Sequence, residues 1–185
     1  ATEKIVERVK ESGIPAVSID NNIDGFYHIG INNFSAMEVM VRHIVEHHGA
    51  KIINYISGPD NNPESVLRLK AYKTVLEENG IPIEEERIYH GLFRGSDGRE
   101  AVNAFLQSDL EFPEAIICAN DAMALSAVIE LEKYGKNVPG DVLVTGFDSI
   151  YAAQNYSPEI SSVTRPLKQS GALACKIIFD HINGI

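Results

Sequence analysis

A chain of 185 residues, 44% apolar and 23% charged, has material for one sizeable core or two small lobes and is ordinary for a globular protein. Its formal charge of -10, with sixteen Lys and Arg scattered and no basic run, excludes nonspecific capture of nucleic acid, whose phosphates need clustered cations. Nothing in it reads as a membrane span, a signal peptide or a lipidation motif. The two cysteines, Cys118 and Cys175, read as buried free thiols, which points to a reducing, cytoplasmic setting.

The first helix is expected over Thr2–Ser12, with Ile5, Val6 and Val9 on one face and Gly13 as its stop. Ile14–Asp20 reads as a strand ending in a carboxylate. The chain thus opens on the end of an αβ unit and reads as a fragment, or as a chain lacking upstream residues. Tyr27–Ile31 is a short strand. Phe34–His48 is a helix with Met37, Met40, Val41, Ile44 and Val45 inward, Ser35 and Glu38 forming a capping box, and Gly49 as its end. Lys51–Ile56 is a strand, Ser57–Pro63 a turn-rich loop, and Glu64–Asn79 a helix closed by Gly80. Arg87–His90 is a strand, Gly91–Ser96 a loop and Asp97–Ser108 a helix.

Two later segments carry the most information. Ala115–Ala119 and Val142–Gly146 are apolar runs that end abruptly in polar residues, Asn120-Asp121 and Asp148. Strands buried on both faces read this way, and ligands of open parallel sheets bind beyond the strands' carboxyl ends. Asp121–Tyr134 is the helix between them. Ser161–Thr164 is a last short strand, and Pro166 precedes a helix over Leu167–Ile182. Strand and helix alternate throughout with short connections and no hairpin signal, so the fold class is α/β with parallel sheets.

The motifs Ile14-Pro15-Ala16…Asp20, Ser57-Gly58-Pro59 with Arg68-Leu69-Lys70-Ala71-Tyr72, Ala119-Asn120-Asp121-Ala122-Met123-Ala124, Val138-Pro139-Gly140-Asp141…Gly146-Phe147-Asp148 and Pro158…Ile160-Ser161-Ser162-Val163 occur in this order. Together they cover nearly the whole chain, which resembles the effector-binding domain of the lactose-repressor/galactose-repressor (LacI/GalR) family. The resemblance implies a periplasmic-binding-protein-like fold of two doubly wound lobes around a cleft. Residues 33–164 would form the C-terminal lobe, complete. Residues 1–32 would be a partial N-terminal lobe with the crossover, and residues 165–185 the return to that lobe. A half-missing lobe would expose apolar faces, leaving the chain to pair with another or to behave poorly in solution. The family's helix-turn-helix DNA-binding head would lie outside this sequence.

The resemblance also places the site. It implies that Arg68 reaches ligand oxygens, its planar donors suiting vicinal hydroxyls or a carboxylate, and that Asp148 accepts from two adjacent hydroxyls. Asn120, both donor and acceptor, would read a hydroxyl, while Asp121 caps the following helix. Phe93 matches a position where an aromatic ring packs on the ligand's apolar face, with a core role as the equal alternative. Asp20 and Arg165 match cleft-facing positions where the chain passes between lobes, and ligand contact and hinge contact stand equal for both. Glu64 departs from the small polar residue usual in the family. Its carboxylate would alter the ligand chemistry or pair with Arg68 or Arg165. Asp60 and Asn62 would line the same rim.

His43-Ile44-Val45-Glu46-His47 matches the H-x-x-E-H pattern of one zinc-protease class, but nothing in the sequence identifies the third protein ligand that a catalytic zinc needs. The histidines are read as helix-end residues favoured by the dipole, and no metal site or cofactor is assigned. The expectation is a non-enzymatic sensor of a small effector, most simply a sugar, in a homodimeric transcriptional regulator whose operator DNA is held by the absent head. Helices Phe34–His48 and Asp97–Ser108 would be worth inspecting as the dimer interface. Alternatives are the same fold serving a kinase or diguanylate cyclase, a solute-binding protein of a transporter, or an α/β enzyme using the same cleft carboxylates.

Overall fold

The computed structural model describes residues 3–185, so Thr2 of the first expected helix lies outside the described residues. The chain divides into two compact units, Ala1–Ile31 with Arg165–Ile185, and Asn32–Thr164.

The smaller unit holds α1 (Glu3–Ser12), β1 (Val17–Ile19), β2 (Tyr27–Ile29) and α7 (Leu167–Ile182). β1 and β2 pair in parallel, with Val17 opposite Tyr27 and Ile19 opposite Ile29. Neither helix buries a residue. Cys175 is consequently exposed, against the sequence expectation: α7 has an apolar face, but nothing among the described residues covers it at that point.

The larger unit is built on five parallel strands, β3 (Ile53–Ser57), β4 (Ile88–His90), β5 (Ala115–Cys118), β6 (Leu143–Asp148) and β7 (Ser161–Thr164), in the order β4-β3-β5-β6-β7. The chain leaves β3 toward β4 on one side, then returns to place β5 on β3's other side, with Ile53 opposite Ala115 and Ile56 opposite Cys118. This reversal makes the β3/β5 junction the switch point, beyond whose strand ends ligands of such sheets bind. The central strands are buried along their whole length, which is why they read as unbroken apolar runs. Each fully buried Ile or Val contributes roughly 1.5–3 kcal/mol.

Two helix pairs flank the sheet: α2 (Asn33–Arg42) with α3 (Pro63–Glu78), and α4 (Gly95–Gln107) with α5 (Asp121–Lys133). The second pair approaches so closely that a Cβ at Gly98 would stand 2.0 Å from the Met123 carbonyl and 2.2 Å from Ser126 Oγ. A short α6 (Tyr151–Gln154) and a 3₁₀ turn at Glu85–Arg87, neither legible as a periodic run, complete the unit.

The start of α2 differs from expectation. Asn32, not Ser35, is its cap, accepting the Ser35 amide at 3.1 Å, and Glu38 pairs with Arg42 one turn on instead of reaching back. Nor does the helix run regularly to His48. Residues His43–His47 form a π-helical turn, in which the His48 amide donates to the His43 carbonyl at 3.2 Å.

Candidate functional site

The described residues other than glycine with positive φ are Asp20 (70°), Phe93 (63°), Asp148 (103°) and Ser149 (52°). All four follow or end a parallel strand: Asp20 follows β1, Phe93 follows β4, and Asp148 and Ser149 close β6. A side chain in this region costs on the order of 1–3 kcal/mol, and such strain clusters at ligand sites. In the larger unit it falls on the strand ends flanking the switch point.

Behind those strand ends lies Arg68, in the second turn of α3 and only 2% exposed. Its Nε donates to Asn33 Oδ1 at 2.8 Å, Nη1 to the Ala119 carbonyl at 2.7 Å and Nη2 to Glu64 Oε2 at 3.3 Å. The guanidinium lies 3.6 Å from the centroid of the Phe147 ring and 5.8 Å from that of Phe93. The expected ligand-reaching arginine thus directs these donors to protein groups, and its charge is offset by half-buried Glu64. Of the two partners anticipated for Glu64, the structure pairs it with Arg68. Neither Phe147 nor Asn33 was anticipated. The continuous apolar run into β6 marks Phe147 as buried, but nothing local shows that an arginine will stack on it.

Phe93 is held from two sides. Asn120 Nδ2 donates to its carbonyl at 3.1 Å, and its ring passes so near Gly58 that a Cβ there would stand 2.2 Å from Cζ. Asn120 also caps α5, its Oδ1 accepting the Met123 amide at 3.0 Å. The cap expected of Asp121 therefore belongs to Asn120.

Asp121 has a different task. Its buried carboxylate accepts the Ile150 amide at 2.7 Å and the Ser162 hydroxyl at 2.6 Å, and hydrogen bonds from the backbone at Phe147 and Ser149 as well. Ser162 Oγ in turn accepts the Ser149 amide at 3.0 Å. Burial raises the Asp121 pKa, and these hydrogen bonds oppose the rise. The carboxylate fixes the path of residues 147–150, and hence the backbone of Asp148. Gly146 permits it, since a Cβ there would stand 2.1 Å from Asp121 Oδ1.

Asn62, expected on the rim, caps α3 through the Glu64 and Ser65 amides, at 2.9 and 3.0 Å. Asp60 pairs with His90 at 2.7 Å. In the smaller unit Asp20 and Arg165 form an ion pair with each other. The structure therefore brings Glu64, Arg68, Phe93 and Asn120 together through these contacts, with Asp148 following the ring on which Arg68 stacks.

The chain matches the family described as periplasmic binding protein-like domain over residues 41–185. It is 30% identical over 152 residues to the HTH-type transcriptional repressor PurR of Histophilus somni (strain 129Pt), covering 82% of this chain and 45% of that protein. It is 31% identical over 186 residues to catabolite control protein A of Priestia megaterium, covering 98% of this chain and 55% of that protein. The chain thus spans about half the length of the curated relatives it matches. A sugar-binding transcriptional regulator of the LacI family from Escherichia coli, complexed with phosphate, superposes with a TM-score of 0.86 at 24% identity, covering 100% of this chain and 66% of that one. The transcriptional regulator CelR, in complex with cellobiose, superposes with a TM-score of 0.85 at 26% identity, covering 98% of this chain and 56% of that one.

Proposed function

Because this chain belongs to the lactose-repressor/galactose-repressor (LacI/GalR) family and has its periplasmic-binding-protein-like fold, we propose that it senses a small polar effector for a transcriptional regulator and does no chemistry itself. The observation that carries the reading is the strained backbone of Phe93 and Asp148, beyond the end of β4 and at the end of β6, beside buried Arg68. The effector is a neutral sugar or sugar derivative. A ring face at Phe93 and a carboxylate at Asp148 suit a molecule with an apolar face and adjacent hydroxyls. Glu64 beside Arg68 offsets the cation that an anionic ligand would need. The structure of CelR is a complex with cellobiose, a ligand of that class.

Glu64, Phe93, Asn120 and Asp148 are the ligand-contacting residues of the larger unit, with Arg68 ordering them. Asp20 and Arg165 are the candidates of the smaller one. Binding shifts the protein between conformations only as far as the effector's affinities for them differ. The shift is transmitted to a helix-turn-helix module elsewhere in a cytoplasmic homodimer, since a net charge of -10 with no basic run ill suits this chain to hold operator DNA itself.

The test is thermal unfolding against neutral sugars, sugar phosphates and nucleobases, repeated with Phe93→Ala and Asp148→Ala. Ligand at a hundred times its dissociation constant stabilises by about 2.7 kcal/mol, a shift of several degrees. A neutral sugar that shifts the parent and neither variant supports the reading. A shift from nucleobases or phosphates alone refutes the sugar assignment, and a shift untouched by both variants refutes the site.

A further inference from the structure

The histidines at the end of α2 form a cluster that the effector site does not use. In a regular helix His43 and His47, one turn apart, would be the facing pair. The π-helical turn spanning His43–His47 changes this, because its wider turn brings the fifth residue along into line with the first. His48 Nε2 accordingly stands 3.1 Å from His43 Nε2, while His47 stacks flat on His43 with centroids 5.0 Å apart. The His43 and His48 rings are nearly perpendicular, with centroids 4.7 Å apart, too close for a head-on arrangement, so their Nε2 atoms converge at an angle. Among the described residues these two rings make no side-chain hydrogen bond except with each other. Both line a cavity of about 230 Å³ that also contains Thr145, Glu159 and Ser161.

From this convergence we propose that His43 and His48 chelate one divalent transition-metal ion, such as Zn²⁺, Ni²⁺ or Cu²⁺, at the mouth of that cavity. Imidazole nitrogens bind such ions at about 2.0–2.1 Å, so two on one ion stand roughly 2.9 Å apart at a right angle and 3.4 Å apart at the tetrahedral angle. The observed 3.1 Å falls between these limits without movement of either ring. No group of three or more metal-ligating side chains gathers among the described residues, so water completes the coordination and the ion exchanges readily. Desolvation, with the neighbouring His48 and His47, lowers the His43 pKa and favours the neutral imidazole that a metal requires. The nearby charged groups are Glu159 on the cavity wall, and Arg42 with Glu46 on the helix, which pair with each other. The H-x-x-E-H match is therefore not a protease signature. Its first histidine works with the residue just after the motif.

The experiment is calorimetric titration of the chain with NiCl₂ and with ZnCl₂ near neutral pH, alongside His43→Gln, His48→Gln and His47→Gln. The expected result is one ion per chain. Each of the first two variants weakens it by about tenfold or more, since losing a ligand costs at least what losing a second-shell partner does, and His47→Gln changes it far less. Affinity falls as pH drops through the histidine range, because protons compete for the same nitrogens. Circular dichroism of the variants checks that α2 remains folded. Absence of binding up to about 1 mM, an affinity worth only about 4 kcal/mol, overturns the proposal. So does binding that survives both His43→Gln and His48→Gln, or that depends on His47 instead.

Discussion

Arg68 lays its guanidinium over the Phe147 ring at 3.6 Å while its Nη1 donates to the carbonyl of Ala119. One side chain from α3 thereby ties the ends of β5 and β6, the two strands beside whose ends Asn120 and Asp148 carry the candidate site. Removing it should act through architecture before ligand. Arg68→Ala leaves Asn33, Glu64 and the Ala119 carbonyl without these donors in a buried place, and truncating one partner of such a network costs about 3–5 kcal/mol. Arg68→Lys keeps the charge but not the planar stacking surface, and should recover only part of that loss. Urea unfolding of both variants measures this. A near-neutral Arg68→Ala would show that the guanidinium does not hold these strand ends together.

Asp148→Gly separates strain from use. At φ 103° an aspartate is held where glycine sits without cost. The substitution should leave the unfolding temperature unchanged or raise it, by up to about 1 kcal/mol of stability, while abolishing the response to the effector. A protein that gains stability as it loses binding is storing strain for function. A large fall in unfolding temperature would mean that the Asp148 side chain holds the loop together instead.

These two residues show what was legible in the sequence. The strand ends are visible because buried parallel strands read as apolar runs, and Asp148 and Asn120 stand where those runs stop. The alternation of strand and helix gives the fold class for the same reason. The orientation of Arg68 was not legible. Its apolar neighbours Leu67 and Leu69 suggest a wall, but the ring it stacks on lies far along the chain, on β6, with β4, α4, β5 and α5 between. The division of roles between Asn120 and Asp121 is likewise tertiary. Adjacent polar residues at a helix start are alike in sequence, and only the path of residues 147–150 decides which carboxylate or amide is consumed. The π-helical turn at His43–His47 is invisible to a 3.6-residue period, and the exposure of Cys175 depends on what covers α7, not on the helix's own pattern.

Asp121→Asn tests that division of labour. Every hydrogen bond found for the carboxylate is one that it accepts, from Ile150, Ser162, Phe147 and Ser149. An amide offers a single acceptor oxygen and turns an NH₂ toward other donors, leaving buried N–H groups unsatisfied at about 1–3 kcal/mol. The variant should lose stability of that order and bind effector more weakly, because the backbone of Asp148 is no longer fixed. Amide exchange at Ser149 and Ile150 reports the loosening. Unchanged protection there would show that the turn holds its shape without the carboxylate.

Glu114 supplies a pH dependence with a definite sign. Its Oε2 accepts the Lys51 amide at 2.6 Å and the Ile52 amide at 3.0 Å, and these two bonds hold its pKa below the ordinary 4.5. A carboxyl group depressed in the folded state stabilises it fully above the unfolded pKa, and the contribution is lost as pH falls through the folded value. The parent should therefore exceed Glu114→Gln in unfolding temperature at neutral pH by a small, salt-screened margin, as befits an exposed group. The two curves should converge at acid pH, below both values. The opposed case of Asp121, whose burial raises its pKa and favours the protonated form, is common to both proteins and cancels from the difference. A gap between parent and variant that stays constant from neutral to acid pH would show that Glu114 acts through geometry and not through its charge.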